Sequence, residues 1–296
     1  WQYCYSNQAL ATEIAGKVIQ FFDRNPDYTQ YTLAANDGWY EGWCECSACA
    51  ALGSRTDQIL TFTNRVAAIV GEKYPDKKLT VLSYFANFYA PTRNFTMEPN
   101  LEIQFTRETN MYQPVSSGFN MGSSYYPETG NTYTVTWKDN VANWQARTGC
   151  ENYGIWEWYC VAAAKPEWQY IPWVQGRVAI QNQQYWKSIG ADYIYYDQGP
   201  LPGYYETQDD YDLRWPLWYV ASKGMWDASL TGDQILMDAC SKLFGNAASE
   251  MYGYYKALAD ASESCTAYSM TWVPPEPSQM YTATHIRKID AAIAKA

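Results

Sequence analysis

Tyr31-Thr32-Leu33-Ala34-Ala35-Asn36-Asp37-Gly38-Trp39-Tyr40-Glu41-Gly42-Trp43-Cys44-Glu45-Cys46-Ser47-Ala48-Cys49 is a strand that runs into a turn. Residues 31–35 are apolar and β-prone, and Asn36-Asp37-Gly38 is turn chemistry, so the strand stops there. The turn then carries the carboxylates Asp37 and Glu41, the indoles Trp39 and Trp43, and the thiols Cys44, Cys46 and Cys49. A turn that only reverses the chain needs none of these. Carboxylates beside indole rings at a strand end are the groups of a sugar-cleaving or sugar-binding site. The plainer alternative is a disulfide-pinned surface loop whose Trp residues pack locally.

The same pattern recurs outward from this stretch. Upstream, Asn7 is an N-cap and Leu10, Ile14, Val18, Ile19 and Phe22 fall at helical spacing, which predicts a helix over 7–24. Downstream, a helix begins at Asp57 and ends at Tyr74-Pro75, and strands follow at 79–85 and 101–106. Residues 112–135 read as a long Gly/Ser/Tyr/Asn loop with a short hairpin at 132–136, followed by a helix at 138–147. A strand at 153–159, a helix at 172–188 and a strand at 192–199 come next. Helices fill the remainder, at about 211–226, 232–244, 246–262 and 279–295. Strands alternating with helices at this spacing mean parallel β/α units. In a parallel β/α barrel the catalytic groups sit at the carboxyl ends of the strands. Asp37, Glu108, Glu157 and Asp197 each fall at the end of a different strand, beside Trp, Tyr or Asn. Only five strands are evident where a closed barrel has eight. The rest are expected from a segment cut away before Trp1 or from another chain, the alternative being an open sheet. Residues 1–205 form the barrel part with its catalytic face, and 206–296 a helical segment packed on it.

Composition narrows the chemistry. The charge of −10 and the 21 Lys and Arg leave no basic patch for nucleic acid or an anionic membrane, whereas 14 Trp and 28 Tyr suit a neutral, ring-shaped ligand: carbohydrate is the expected partner. No apolar run is long enough for a membrane span. The single His, His285, excludes two-His metal sites, and no Gly-x-Ser-x-Gly elbow or phosphate loop is present. Acid–base work falls to carboxylates, with no cofactor expected. Eight Cys point to an oxidising compartment, so a secreted or cell-surface chain, and the start at Trp1 in mid-pattern to a processed or truncated one. Cys150 and Cys160 flank a strand that holds them roughly 33 Å apart, too far to pair. Cys240 and Cys265 lie on consecutive helical segments and could meet. Cys4 enters the first helix at the same end of the sheet as Cys44, Cys46 and Cys49. Four thiols gathered there mean two disulfides, a four-Cys zinc site, or buried free thiols.

The chain resembles the bacterial secreted proteins grouped as domain of unknown function 4838, some of which belong to glycoside hydrolase family 163. The resemblance rests on an ordered set of pieces reaching to about residue 260. These are Cys4-Tyr5-Ser6-Asn7, Asn36-Asp37-Gly38 with Trp43-Cys44-Glu45-Cys46-x-x-Cys49, and Phe62-x-Asn64-x-Val66-Ala67 with Tyr74-Pro75. Trp156-Glu157-Trp158 is similar to a Trp-Asp-Tyr on the family's seventh strand, and Tyr196-Asp197-Gln198-Gly199 to a Glu-Gln-Gly on its eighth. Trp226-Asp227-x-x-Leu230 and Phe244-Gly245-x-Ala247-Ala248 resemble the helical tail. The resemblance implies an α/β fold, a (β/α)8 TIM-type barrel of the hexosaminidase-like kind, entered from about the third strand and followed by a C-terminal helical extension. It implies glycan hydrolysis of the endo-β-N-acetylglucosaminidase kind. Asp37 would be the acid with Glu41 in reserve, and Glu108 and Glu157 would stabilise or orient. Trp39, Trp43, Trp156 and Trp158 would form the walls, and Asn36, Tyr196, Asp197 and Gln198 would bind hydroxyls. Glu157 stands where the family has Asp, and Asp197 where it has Glu. A non-catalytic glycan-binding or structural module on a cell surface, appendage or particle is the alternative.

Overall fold

The computed structural model describes residues 2–36, 42–107, 109, 111–117, 135–159, 171–172, 176–197, 208–267 and 275–296, with backbone alone at Phe85 and at 208–213. Five strands, β1 (Gln30–Thr32), β2 (Lys78–Ser83), β3 (Leu101–Arg107), β4 (Tyr153–Trp158) and β5 (Tyr193–Asp197), form one parallel sheet in the order β1-β2-β3-β4-β5. The helices are α1 (Gln8–Arg24), α2 (Ser47–Ala50), α3 (Arg55–Lys73), α4 (Trp137–Thr148), α5 (Gly176–Ser188), α6 (Gln208–Trp226), α7 (Gly232–Phe244), α8 (Ala248–Ser264), α9 (Pro277–Met280) and α10 (Ala283–Ile293). Parallel strands joined in sequence order need crossovers of one hand, so the intervening helices gather on one face. The sheet curls into a half-barrel, and the other face is left inward. Among the described residues no helix is long and apolar enough to cross a membrane.

All five expected strands are present, with shifted ends. β2 stops at Ser83, not Phe85, because the Ser83 hydroxyl donates to the Phe88 carbonyl at 2.9 Å and residues 85–87 wind into a 3-10 turn. The helix expected from Asp57 starts two residues earlier. Ser54 is its N-cap, and Asp57 is the reciprocal partner of a capping box. Thr136, the last residue of the expected 132–136 hairpin, caps α4, its hydroxyl accepting from the Asp139 N–H at 3.0 Å; residues 132–134 lie outside the described set. The single last helix expected at 279–295 is two, α9 and α10, because Thr282 caps a new start. α2 spans four residues, too short to show a helical period in sequence. Asn7 caps α1 as read, its Oδ1 accepting from the Leu10 N–H at 3.1 Å.

Leu79, Val81, Ile103, Phe105, Tyr153 and Ile155 face the helices and form one core with Val18 and Phe22 of α1, Val66 and Val70 of α3, Trp144 of α4 and Trp186 of α5. Phe105 meets Trp144 and Tyr153 edge to face, at 5.8 and 5.6 Å between ring centres. The C-terminal helices extend this layer from α5. Val178 and Ala179 pack on Leu217 and Ala221, and Ile180 on Val220, Ile235 and Cys240. Arg177 then ties α5 to α7 and α8 through Asp233 (3.5 Å), Asp260 (2.6 Å) and Glu263 (2.7 Å).

Candidate inner-face site

β3 alternates Leu101, Ile103 and Phe105 toward the helices with Glu102, Gln104 and Thr106 away from them. Register carries the inward set across the sheet: Thr80 beside Glu102, Gly154 beside Gln104, Trp156 beside Thr106, Tyr195 beside Trp156, and Asp197 beside Trp158. The two ends of this face differ. Toward the amino ends lies a closed polar floor. Glu102 Oε1 accepts from Thr80 Oγ1 at 2.9 Å, from the Tyr193 hydroxyl at 3.1 Å and from Gln30 Nε2, while Gln104 Nε2 donates to the same Tyr193 hydroxyl at 3.3 Å. The Tyr193 ring lies across Gly154, where a Cβ would come within 2.1 Å of it, so β4 needs a glycine there.

Toward the carboxyl ends the face is aromatic. Tyr84, Trp158 and Trp156 form a row of near-parallel rings, 6.4 and 6.3 Å between neighbouring centres with interplanar angles of 19° and 20°. Tyr195, half exposed, stands edge-on to Trp156 at 5.0 Å. Among the described residues, Trp156 Nε1 and Thr106 Oγ1 are buried with no hydrogen-bond partner. Two such groups side by side cost free energy unless something fills them. Asp197 is the described carboxylate on this aromatic end.

Glu157, expected among the catalytic carboxylates, points the other way. It is fully buried between sheet and helices, where Arg107 Nη1 holds Oε2 at 3.0 Å and Trp186 Nε1 donates to Oε1 at 2.6 Å. Arg107 Nη2 goes on to the Gln113 carbonyl at 2.5 Å. Tyr196, expected to bind hydroxyls, shares that face. Its hydroxyl accepts from Gln183 Nε2 at 2.7 Å, its ring stacks on Tyr159 at 5.5 Å, and burial pushes its phenol well above the ordinary range. Trp43 is also a core side chain, 6% exposed, between Tyr5 (5.6 Å) and the Arg55 guanidinium (4.8 Å). Alternate residues of a strand face opposite ways, and proximity to a strand end does not reveal which. Tyr84, Thr106 and Tyr195 went unread for the same reason. The alternation Glu102-Gln104-Thr106 against Leu101-Ile103-Phe105 held the signal.

Of the focal turn, Asn36 and Gly42 onward are described, while Asp37, Trp39 and Glu41 lie outside the described residues, as do Glu108, Gln198 and Cys160. Gln2 holds both ends of the turn. Its side chain exchanges hydrogen bonds with the Asn36 backbone at 2.7 and 3.0 Å, and its own N–H donates to the Gly42 carbonyl at 2.8 Å. Asn36, Trp43 and Tyr84 line a cleft of about 20 Å³, room for a water and too small for a sugar ring.

Beside Gln2, the Sγ atoms of Cys4, Cys44, Cys46 and Cys49 all lie within 4.8 Å of one another. The gathering expected from the sequence is present, but the disulfides are not: none of the seven described cysteines, Cys240 and Cys265 among them, is joined to another. The Cys46 thiol is pushed down to about 6, first by the backbone N–H of Cys49 and then by the Ser6 hydroxyl and the Cys44 thiol.

No curated protein and no solved structure shows a significant match to this chain. One family profile matches residues 1–256, most of the described sheet and helices included. By that match the chain belongs to the family described as Domain of unknown function (DUF4838).

Proposed function

We propose that this chain acts on glycans as a glycoside hydrolase, with an endo-β-N-acetylglucosaminidase-like reaction as the first activity to test. The observation that carries this reading is the row of near-parallel rings, Tyr84, Trp158 and Trp156, on the inward face beside Asp197. Ring faces stack on the C–H faces of sugars. In this reading the half-barrel is the later part of a closed (β/α)8 barrel. Its other strands come from outside these residues or from another chain. Asp37 on the focal turn is the acid that protonates the leaving oxygen, with Glu41 in reserve. Asp197 and Glu108 stabilise the oxocarbenium-like transition state or orient an acetamido group. Glu157 leaves the catalytic set, since both its oxygens are already held by Arg107 and Trp186. Its role is to position β4, so that Trp156 and Trp158 present their rings inward.

Release of free oligosaccharide from glycoproteins and from N-acetylglucosamine oligomers tests the reading. Asp37→Asn and Asp197→Asn should each lower kcat by about 10²–10⁴-fold. Trp158→Ala should weaken substrate binding about tenfold with a smaller effect on kcat. Unchanged turnover in both Asp variants would remove the assignment.

A second reading is a non-catalytic glycan-binding module. The sequestration of Glu157 favours it, because that removes one of the carboxylates a hydrolase would use. Glycan binding that depends on Trp156 and Trp158, without any product over long incubation, would select this reading.

A further inference from the structure

We propose that Cys4, Cys44, Cys46 and Cys49 are the four ligands of a structural zinc ion that clamps the entry of α1 to the segment leaving the focal turn. The sulfurs stand at the right separation for it. Zn–S bonds of 2.3 Å in a tetrahedron put neighbouring sulfurs about 3.8 Å apart. Here Cys4 Sγ lies 3.7 Å from Cys49 Sγ and 3.9 Å from Cys46 Sγ, and no pair of the four exceeds 4.8 Å. Two disulfides would instead need two pairs at about 2.05 Å.

The surroundings fit thiolates. The Cys49 N–H donates to Cys46 Sγ at 3.3 Å, and the Ser6 N–H donates to Cys49 Sγ at 3.4 Å. Ser6 Oγ sits 3.3 Å from the sulfurs of Cys4 and Cys49. Donors aimed at sulfur are what surrounds a metal thiolate, holding the ligands in place and offsetting their charge. Four soft sulfurs in tetrahedral array select zinc over magnesium or calcium. With all four positions filled by protein, the ion has no open site for substrate, so its part is structural. Binding replaces four S–H protons by four Zn–S bonds and transfers no electrons.

The geometric consequence is local to the focal turn. Gln2, two residues from Cys4, holds Asn36 and Gly42 on either side of residues 37–41. The ion fixes the frame from which Gln2 does so. The inference stands apart from the glycan reading, because it is read out by metal content and not by turnover.

The test is elemental analysis of the chain purified in a reducing buffer. About one zinc per chain is expected. Cys46→Ser and Cys49→Ser should each cut that content several-fold, and Cys240→Ser, a buried thiol elsewhere, should not. If the variants fail to fold, the unaltered chain still decides. Replacing the ion by Co²⁺ should give an intense thiolate-to-cobalt charge-transfer band, and its absence would overturn the proposal. So would a metal-free chain whose mass is short by the four hydrogens of two disulfides, or a chain that carries iron.

Discussion

At the scale of single residues, the Arg107–Glu157 pair is the most consequential contact. Both side chains are essentially excluded from water, so neither can lose its partner and rehydrate. Glu157→Ala should cost about 3–5 kcal/mol of unfolding free energy, because it strands a buried guanidinium. Urea denaturation measures this directly, as a lower midpoint at unchanged slope. A catalytic Glu157 predicts the opposite, lost turnover with stability intact. Gly154 is the second such residue. Gly154→Ala drives a methyl into the Tyr193 ring and should cost about 1–3 kcal/mol, read in the same experiment. The displaced Tyr193 would also give up its 3.1 Å hydrogen bond to Glu102.

At the scale of elements, Arg177 is the joint between the half-barrel and the C-terminal helices. Its guanidinium meets one carboxylate of α7 and two of α8. Arg177→Met leaves three acids facing one another, and thermal unfolding should show a loss of about 1–2 kcal/mol after allowance for solvent screening at this half-open site. Asp260 gives the interaction a pH signature. Burial raises its carboxyl, but hydrogen bonds from Lys256 and Arg177 outweigh that and hold it below the ordinary range. A depressed acid stabilises the fold above its unfolded pKa of about 3.9 and loses that contribution as pH falls through the lower folded value. Asp260→Asn should therefore cost a few tenths to about 1 kcal/mol near pH 7, where the acid is partly exposed, and nothing near pH 2. A pH-independent difference would refute the linkage.

At the scale of the whole molecule, the four-thiol centre joins parts of the chain far apart in sequence, and its effect should be global. Removing zinc with a strong chelator in reducing buffer should lower Tm by several degrees and increase proteolysis at the entry of α1 around Cys4. Reductant without chelator should do neither. Loss of stability on reduction alone would mean the thiols act as disulfides.

Much of this was legible in one dimension. The order of strands and helices, the N-cap at Asn7, the end of the helix at Tyr74-Pro75 and the gathering of Cys4 with Cys44, Cys46 and Cys49 follow from period, capping chemistry and chain direction, which are local properties. Inward and outward did not follow. β4 reads Trp156-Glu157-Trp158, and nothing within those three residues says which side faces the helices; only pairing with β3 and burial against Trp186 put the carboxylate behind the sheet and the indoles in front of it. The thiols show the same division. Their number favoured disulfides and their spacing kept metal and free thiols open, because covalent pairing and tetrahedral ligation need the same neighbourhood. The difference lies in ångströms between sulfurs that are 45 residues apart in the chain, and that separation exists only once α1 has packed on α3 and brought Cys4 to Cys49.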